Sequence, residues 1–304
     1  MSTRHFRTLL DLEADELMTV LDRAAELKRL RGTSEHPEPL RGKTIVVLLE
    51  KASTRTRLSF EVGITELGAF ATTLIAKDTQ MGRGEPLGDT ARMLTRYAHG
   101  VVYRTFGHDR IEALAADAGI PVINGLSELY HPCQLLADMQ TIRERTGGRL
   151  EGVRVTWVGD GNNMANSWIL AAERTGLQLT IACPEGYDPH GPALEAAAIA
   201  GHEVRVLRDP VEACIGADVV TTDVFASMGQ EEEAAKRARA FAGFMIDDEK
   251  MAQADPGAVF LHCLPAHRGE EVASAVIDGP QSRVWDQAEN RLHAQKALLE
   301  FLVG

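Results

Sequence analysis

The chain has 304 residues, 44% hydrophobic and 25% charged, with a formal net charge of −12. The length gives two domains, each with room for its own core, and the composition is that of a globular chain rather than a disordered one. The negative charge argues against nucleic-acid and anionic-membrane partners, and no apolar run approaches the ~20 residues of a membrane helix.

Met1 to Phe6 carries no apolar signal core and acidic residues follow it closely, so a cytoplasmic location is expected. Asp11 to Arg31 reads as an amphipathic helix with Leu17, Val20, Leu21, Ala24, Leu27 and Leu30 on one face. Thr33 to Leu40 is a loop. Thr44 to Leu49 is an apolar run typical of a buried parallel strand. Leu58, Val62, Glu66 and Phe60, Ile64, Leu67 have helical spacing, so a helix follows that strand. A strand at Phe70 to Ala76 comes next, then a Gly-rich polar stretch, Lys77 to Gly88, expected as a mobile loop. Helix Asp89–Ala98, strand Val101–Arg104, helix Arg110–Ala118 and strand Pro121–Ile123 continue the alternation. Helix His131–Thr146 ends at Gly147-Gly148, where the domain boundary is placed.

A second alternating set begins at Val153 to Val158. Its further strands are expected at Gln178–Ala182, Glu203–Leu207, Val219–Thr222, Ala258–His262 and Arg283–Trp285, before a last helix over Gln287–Leu302. Strand–helix alternation implies α/β architecture, a mostly parallel sheet flanked by helices in each of two domains. The domains are residues 1–147, completed by the C-terminal helix 287–304, and 148–286. The active site is expected in the cleft between them.

Cys133, Cys183, Cys214 and Cys263 form no CxxC pair, which disfavours zinc-ribbon and thioredoxin chemistry. Cys183 and Cys214 lie in apolar surroundings and read as inert.

The most informative stretch is Glu50-Lys51-Ala52-Ser53-Thr54-Arg55-Thr56-Arg57. Two hydroxyl residues and a guanidinium sit where a strand becomes a helix. The first amides of a helix have no internal partner and carry the positive end of its dipole. Ser53 or Thr54 can cap them, and an anion can take the rest. Arg55 adds a planar fork that matches two phosphate oxygens. Cations at a helix start oppose the dipole, which an anion would offset.

Later motifs also follow strands. Arg104 closes one, at the carboxyl edge where open α/β sheets bind ligands. His131-Pro132-Cys133-Gln134 opens a helix, with His131 and Gln134 on one face and no carboxylate or second histidine beside them. The pair suits a small polar ligand better than a metal. Gly159-Asp160-Gly161-Asn162-Asn163-Met164 mimics a dinucleotide fingerprint, but Met164 occupies the third glycine position and no acid ends the next strand. A dinucleotide and an amide-presenting turn both stay open; in the latter Asn163 can donate to a carboxylate and accept from an amine. Asp223 ends a strand, where it could bind an amine or cap a helix, and Ser227 and Met228 open the next helix. Cys263, in His262-Cys263-Leu264-Pro265, is a nucleophile or a buried apolar residue. Glu289-Asn290-Arg291 sits early in the last helix, from which Arg291 could reach the first domain.

Taken in order, Ser-Thr-Arg-Thr-Arg, Arg104, His-Pro-Cys-Gln, Gly-Asp-Gly-Asn-Asn, Asp-x-x-x-Ser-Met-Gly, His-Cys-Leu-Pro and Glu-Asn-Arg span nearly the whole chain. This pattern resembles the transcarbamoylase family and, at Ser227-Met228-Gly229 and His262-Cys263-Leu264-Pro265, its ornithine-specific branch. The resemblance implies carbamoyl transfer from carbamoyl phosphate to the side-chain amine of L-ornithine, giving citrulline and phosphate. The alternative acceptor is another amine, such as putrescine or an acylated ornithine. By position, Ser53, Thr54, Arg55 and Thr56 would hold the phosphate. Arg104, His131, Gln134, Cys263, Leu264 and Arg291 would hold the carbamoyl end. Asn163, Asp223, Ser227 and Met228 would bind ornithine. Gln80 matches a position that reaches a neighbouring subunit's phosphate site, which implies a homotrimer or multiples of trimers. The resemblance implies no metal and no cofactor. The departure is Phe225, where the family commonly has Trp beside the amino-acid site.

Overall fold

The computed structural model describes residues 3–226 and 233–304. It falls into two compact units, one of residues 1–140 with 289–304 and one of residues 141–288.

In the first unit, α1 (Ala14–Leu30) buries the six-residue face read from its periodicity. β1 (Thr44–Leu49), α2 (Thr54–Glu66), β2 (Phe70–Ile75), α3 (Leu87–Tyr97), β3 (Gly100–Arg104), α4 (His108–Asp117), β4 (Val122–Leu126) and α5 (Pro132–Thr146) follow. The strands form a parallel sheet in the order β2-β1-β3-β4. The second unit contains β5 (Arg154–Val158), α6 (Asn163–Thr175), β6 (Gln178–Ala182), α7 (Gly191–Ile199), β7 (Arg205–Leu207), α8 (Pro210–Cys214), β8 (Val219–Thr222), α9 (Ala234–Ala240), α10 (Asp248–Gln253), β9 (Val259–His262) and α11 (Ser274–Ile277). Its sheet is parallel in the order β7-β6-β5-β8-β9. α12 (Val284–Val303) closes the chain.

Central parallel strands are covered on both faces, which is why β1 and β8 read as unbroken apolar or β-branched runs. In each sheet the strand order reverses beside the first strand, between β1 and β3 and between β5 and β8. Such reversals leave a crevice at the strands' carboxyl ends, the usual ligand position.

Two expectations need correction. Arg283–Trp285 is not a strand: Ser282 makes a lone bridge to Phe260, and α12 already begins at Val284. Trp285 is 65% exposed, so this short apolar pair is no buried strand, and Asp286 in the first turn favours a helix start. Lys77–Gly88 is not one loop either. Short 3-10 turns occupy Ala76–Asp78 and Gln80–Arg83, Thr79 caps the second, and α3 starts at Leu87 behind Pro86. Among the described residues, no helix is long and apolar enough to cross a membrane.

The first unit buries charge as well as carbon. Lys296, fully buried, donates to Glu66 Oε2 at 2.7 Å and lies 3.0 Å from His36 Nε2. One turn away, burial and then Lys296 push His293 from 6.5 down to about 4. The unfolded chain takes a proton near pH 6.5 and the folded chain resists it, so acid favours unfolding. Stability should therefore fall as pH drops from 6.5 towards 4. Calorimetric melting across that window checks this; the fall should be shallower in His293→Gln, and a flat wild-type profile would contradict it.

Candidate active site

In the first unit the site starts at the end of β1. Ser53 has extended backbone and its Oγ accepts from Thr56 N–H at 3.2 Å, so Ser53 is the N-cap of α2. The N–H groups of Thr54 and Arg55 have no partner inside the helix. Thr56, 1% exposed, turns its hydroxyl inward. Arg104 Nη1 donates to Thr56 Oγ1 at 3.1 Å, and Arg291 Nη2 donates to the same oxygen at 3.2 Å. Both guanidiniums are almost wholly buried. Like charges brought together away from water are costly unless an anion accompanies them. Two guanidiniums, a helix start and a capped hydroxyl make a cradle for an anion.

Pro132 occupies the first position of α5, where its missing N–H costs nothing. His131 precedes it and is 4% exposed. Burial, then Arg291, Arg104 and Arg55, hold the His131 imidazolium form far below its ordinary range. At neutral pH the ring is therefore uncharged and acts by hydrogen bonding rather than by charge. Gln134 Oε1 accepts from Arg291 Nη1 at 2.7 Å, and Gln134 Nε2 donates to Asp138 Oδ1 at 2.8 Å. Asp138 corrects the expectation that no carboxylate shares this helix face. It lies four residues after Gln134 and is fully buried. Cys133 beside them is inert: burial pushes its thiol up to about 12, and it donates to Asn124 O at 3.3 Å.

Glu50 opens the stretch quoted above, but the sequence reading assigns it no role. Its carboxylate accepts from Tyr103 Oη at 2.6 Å, from Arg110 Nη2 at 2.5 Å and from Thr105 Oγ1. Tyr103 and Thr105 flank Arg104, so Glu50 ties the end of β1 to the end of β3. Burial pushes the Glu50 carboxyl up, but the three donors outweigh it and hold it below its ordinary value. Of the other cations at this helix start, Arg57 pairs with Glu61 at 2.9 Å and Lys51 lies 4.2 Å over the Phe106 ring. Gln80 is exposed in its 3-10 turn.

In the second unit three strand ends supply the polar groups. After β5, Asn162 caps α6 and its Oδ1 accepts from both Met164 and Ala165 N–H. Those first-turn amides are thus taken by the protein's own cap. Gly161 is needed because a Cβ there would lie 2.2 Å from the Asp188 carbonyl carbon, and Gly159 has φ 149°. Gly161 thus serves local packing, and the Asn162 cap occupies two of the amides that a pyrophosphate at this helix start would need. Asn163 is the first residue of α6, half-buried.

After β8, Asp223 caps no helix among the described residues. Cys263 Sγ donates to Asp223 Oδ1 at 3.1 Å, and Asn162 Nδ2 donates to Asp223 Oδ2 at 3.4 Å. After β9, Leu264 has φ 58°, a left-handed conformation that costs a leucine about 1–2 kcal/mol. Its N–H donates to His262 Nδ1 at 2.8 Å, and the ring's other nitrogen is 3.3 Å from Glu271 Oε1. Phe225 stacks on Phe241 at 4.6 Å. Ser227 and Met228 lie outside the described residues. Cys183 and Cys214 are buried, and burial pushes their thiols up to about 11 and about 12.

The family model for the carbamoyl-P binding domain of aspartate/ornithine carbamoyltransferase matches residues 4–144, and the model for the Asp/Orn binding domain matches residues 151–302. The chain is 52% identical to an ornithine carbamoyltransferase of Hydrogenovibrio crunogenus, over 100% of this chain and 99% of that one. It is also 52% identical to an anabolic ornithine carbamoyltransferase of Pseudomonas aeruginosa, over 100% and 98%. The solved ornithine carbamoyltransferase of Pyrococcus furiosus superposes with a TM-score of 0.94 at 47% identity, covering 100% of this chain and 98% of that one. The anion cradle on one sheet, the polar strand ends on the other and two family models that together cover nearly its full length agree: the chain belongs to the aspartate/ornithine carbamoyltransferase family.

Proposed function

We propose that this chain transfers the carbamoyl group of carbamoyl phosphate to the side-chain amine of L-ornithine, giving L-citrulline and phosphate in arginine metabolism in the cytoplasm. The observation that carries this reading is the convergence of Arg104 and Arg291 on Thr56 at the capped start of α2. In this reading the first unit binds carbamoyl phosphate: Ser53, Thr54, Arg55 and Thr56 take the phosphate, and Arg104, His131, Gln134 and Arg291 the carbamoyl end. Cys263 and Leu264 complete the carbamoyl contacts. Asn163, Asp223, Ser227 and Met228 bind ornithine.

The amine nitrogen attacks the carbamoyl carbon, and the carbonyl π pair moves onto oxygen. Arg104, Arg55 and neutral His131 stabilise that oxyanion. The intermediate collapses as the carbon–oxygen bond to phosphate breaks, and phosphate leaves with the bonding pair into its cradle. The nitrogen gives up a proton, for which Asp223 is the acceptor proposed here. An alkyl amine has a pKa of ~10.4, so offering it neutral at pH 7 costs roughly 4–5 kcal/mol. Burial of the amine lowers that cost. Asp223 alone favours the ammonium, so its first role is to orient.

Carbamoyl phosphate labelled with ¹³C at carbon tests the transfer. The label should appear as a ureido carbon on ornithine Nδ in the NMR spectrum; label on Nα would contradict the reading.

A homotrimer is part of the proposal. Leu58 and Val62 on α2 are 53% and 38% exposed, and Phe70 on the edge strand β2 is 67% exposed. Apolar side chains gathered on exposed faces suit a subunit contact. Light scattering should give three chains of 33.1 kDa or a multiple. A monomer at micromolar concentration would remove the role of Gln80 as a reach into a neighbouring subunit.

A further inference from the structure

We infer that Asp138 is a positioning residue that makes the site select a carbamoyl group by its amino end. The inference rests on the proposal that the first unit binds carbamoyl phosphate. Gln134 has a side-chain amide with a donor end and an acceptor end, and its two partners fix which faces which way. A guanidinium only donates, so Arg291 Nη1 at 2.7 Å requires the carbonyl oxygen. Asp138 Oδ1 accepts from Gln134 Nε2 at 2.8 Å, which sets the NH2 group on that side. The two partners agree, and Gln134 and Asp138 are both fully buried, so reversing the amide would break both bonds without water to replace them.

The result is a carbonyl oxygen held beside the anion cradle. Arg291 spans the two directly, with Nη1 on Gln134 and Nη2 on Thr56. A carbonyl oxygen has two lone pairs, and Arg291 takes one. The other suits an N–H donor. In carbamoyl phosphate the amino group sits on the carbon attached to the ester oxygen, so a phosphate in the cradle carries its NH2 close by. Acetyl phosphate has the same shape with a methyl in that place and offers no donor. A buried acceptor left without its donor rejects such an analogue far more strongly than shape alone can.

The test compares binding of carbamoyl phosphate and acetyl phosphate to the full-length protein by calorimetry. Wild type should prefer carbamoyl phosphate. Asp138→Ala should reduce that preference by about tenfold or more, the scale of a lost positioned hydrogen bond. Asp138→Asn keeps an acceptor oxygen and should restore most of it. A residue that merely holds the fold would weaken both ligands together. An unchanged ratio in Asp138→Ala, or Asn no better than Ala, overturns the inference. If Asp138→Ala does not fold, Asp138→Leu, which keeps the volume and removes the acceptor, decides: a preference reduced about tenfold supports the inference and an intact one overturns it. Wild type that binds both phosphates equally contradicts this inference alone. Wild type that binds neither contradicts the proposed function itself.

Discussion

Arg104→Met should lower kcat/KM for carbamoyl phosphate by about 10²–10³, the effect of removing one donor from a preorganised oxyanion site. Arg104 is 7% exposed and closes β3, and its Nη1 is fixed on Thr56 Oγ1. A buried donor that cannot move away needs no reorganisation as charge develops on the carbamoyl oxygen. Methionine keeps the unbranched stem and removes the head, so packing around β3 is preserved better than with alanine. The loss should fall on kcat as well as KM, because the oxyanion exists only beyond the ground state. Steady-state kinetics over both substrates read this directly. A variant that changes KM and leaves kcat alone would show Arg104 to be a ground-state contact.

Asp223→Asn should lower kcat/KM for ornithine by roughly 10²-fold and leave carbamoyl phosphate affinity within about twofold, the range of lost proton-transfer and orienting groups. The carboxylate sits at the carboxyl end of β8 and accepts from Cys263 and from Asn162. Asparagine retains shape but loses the charge that orients an ammonium and the capacity to take its proton. The residual rate should rise more steeply with pH than in wild type, because deprotonation then depends on solvent. Cys263→Ala removes the thiol that donates to this carboxylate, together with the carbamoyl contact proposed for it, but leaves the carboxylate in place and should cost less. Full turnover in Asp223→Asn would eliminate the role assigned to this residue.

The strands that carry these groups were legible in the sequence because a parallel sheet covered on both faces writes itself as unbroken apolar runs. A hydroxyl cap at Ser53 or Thr54 was legible for a similarly local reason, and the structure gives it to Ser53. Val284-Trp285 misled because two apolar residues after a polar turn look like a short strand; the helix that claims them gets its anchoring from residues further on. Asp138 escaped because it follows Leu135-Leu136-Ala137 inside a buried helix, and its role depends on which way an amide four residues earlier points. Glu50 escaped because its partners, Tyr103, Thr105 and Arg110, are more than fifty residues away in the chain. Nothing in the local sequence announces the left-handed backbone of Leu264, which is set by His262 folding back on its N–H.

The most direct measurement is citrulline formation from carbamoyl phosphate and L-ornithine, with putrescine and acetylornithine in parallel and no added metal. The account predicts rapid turnover with ornithine and at least tenfold slower turnover with either analogue, as a site that pairs polar groups discriminates strongly against substrates that leave them unpaired. Phosphate release driven equally well by putrescine or acetylornithine would contradict the assignment of the second unit, and no turnover with any of the three would contradict the carbamoyl transfer itself.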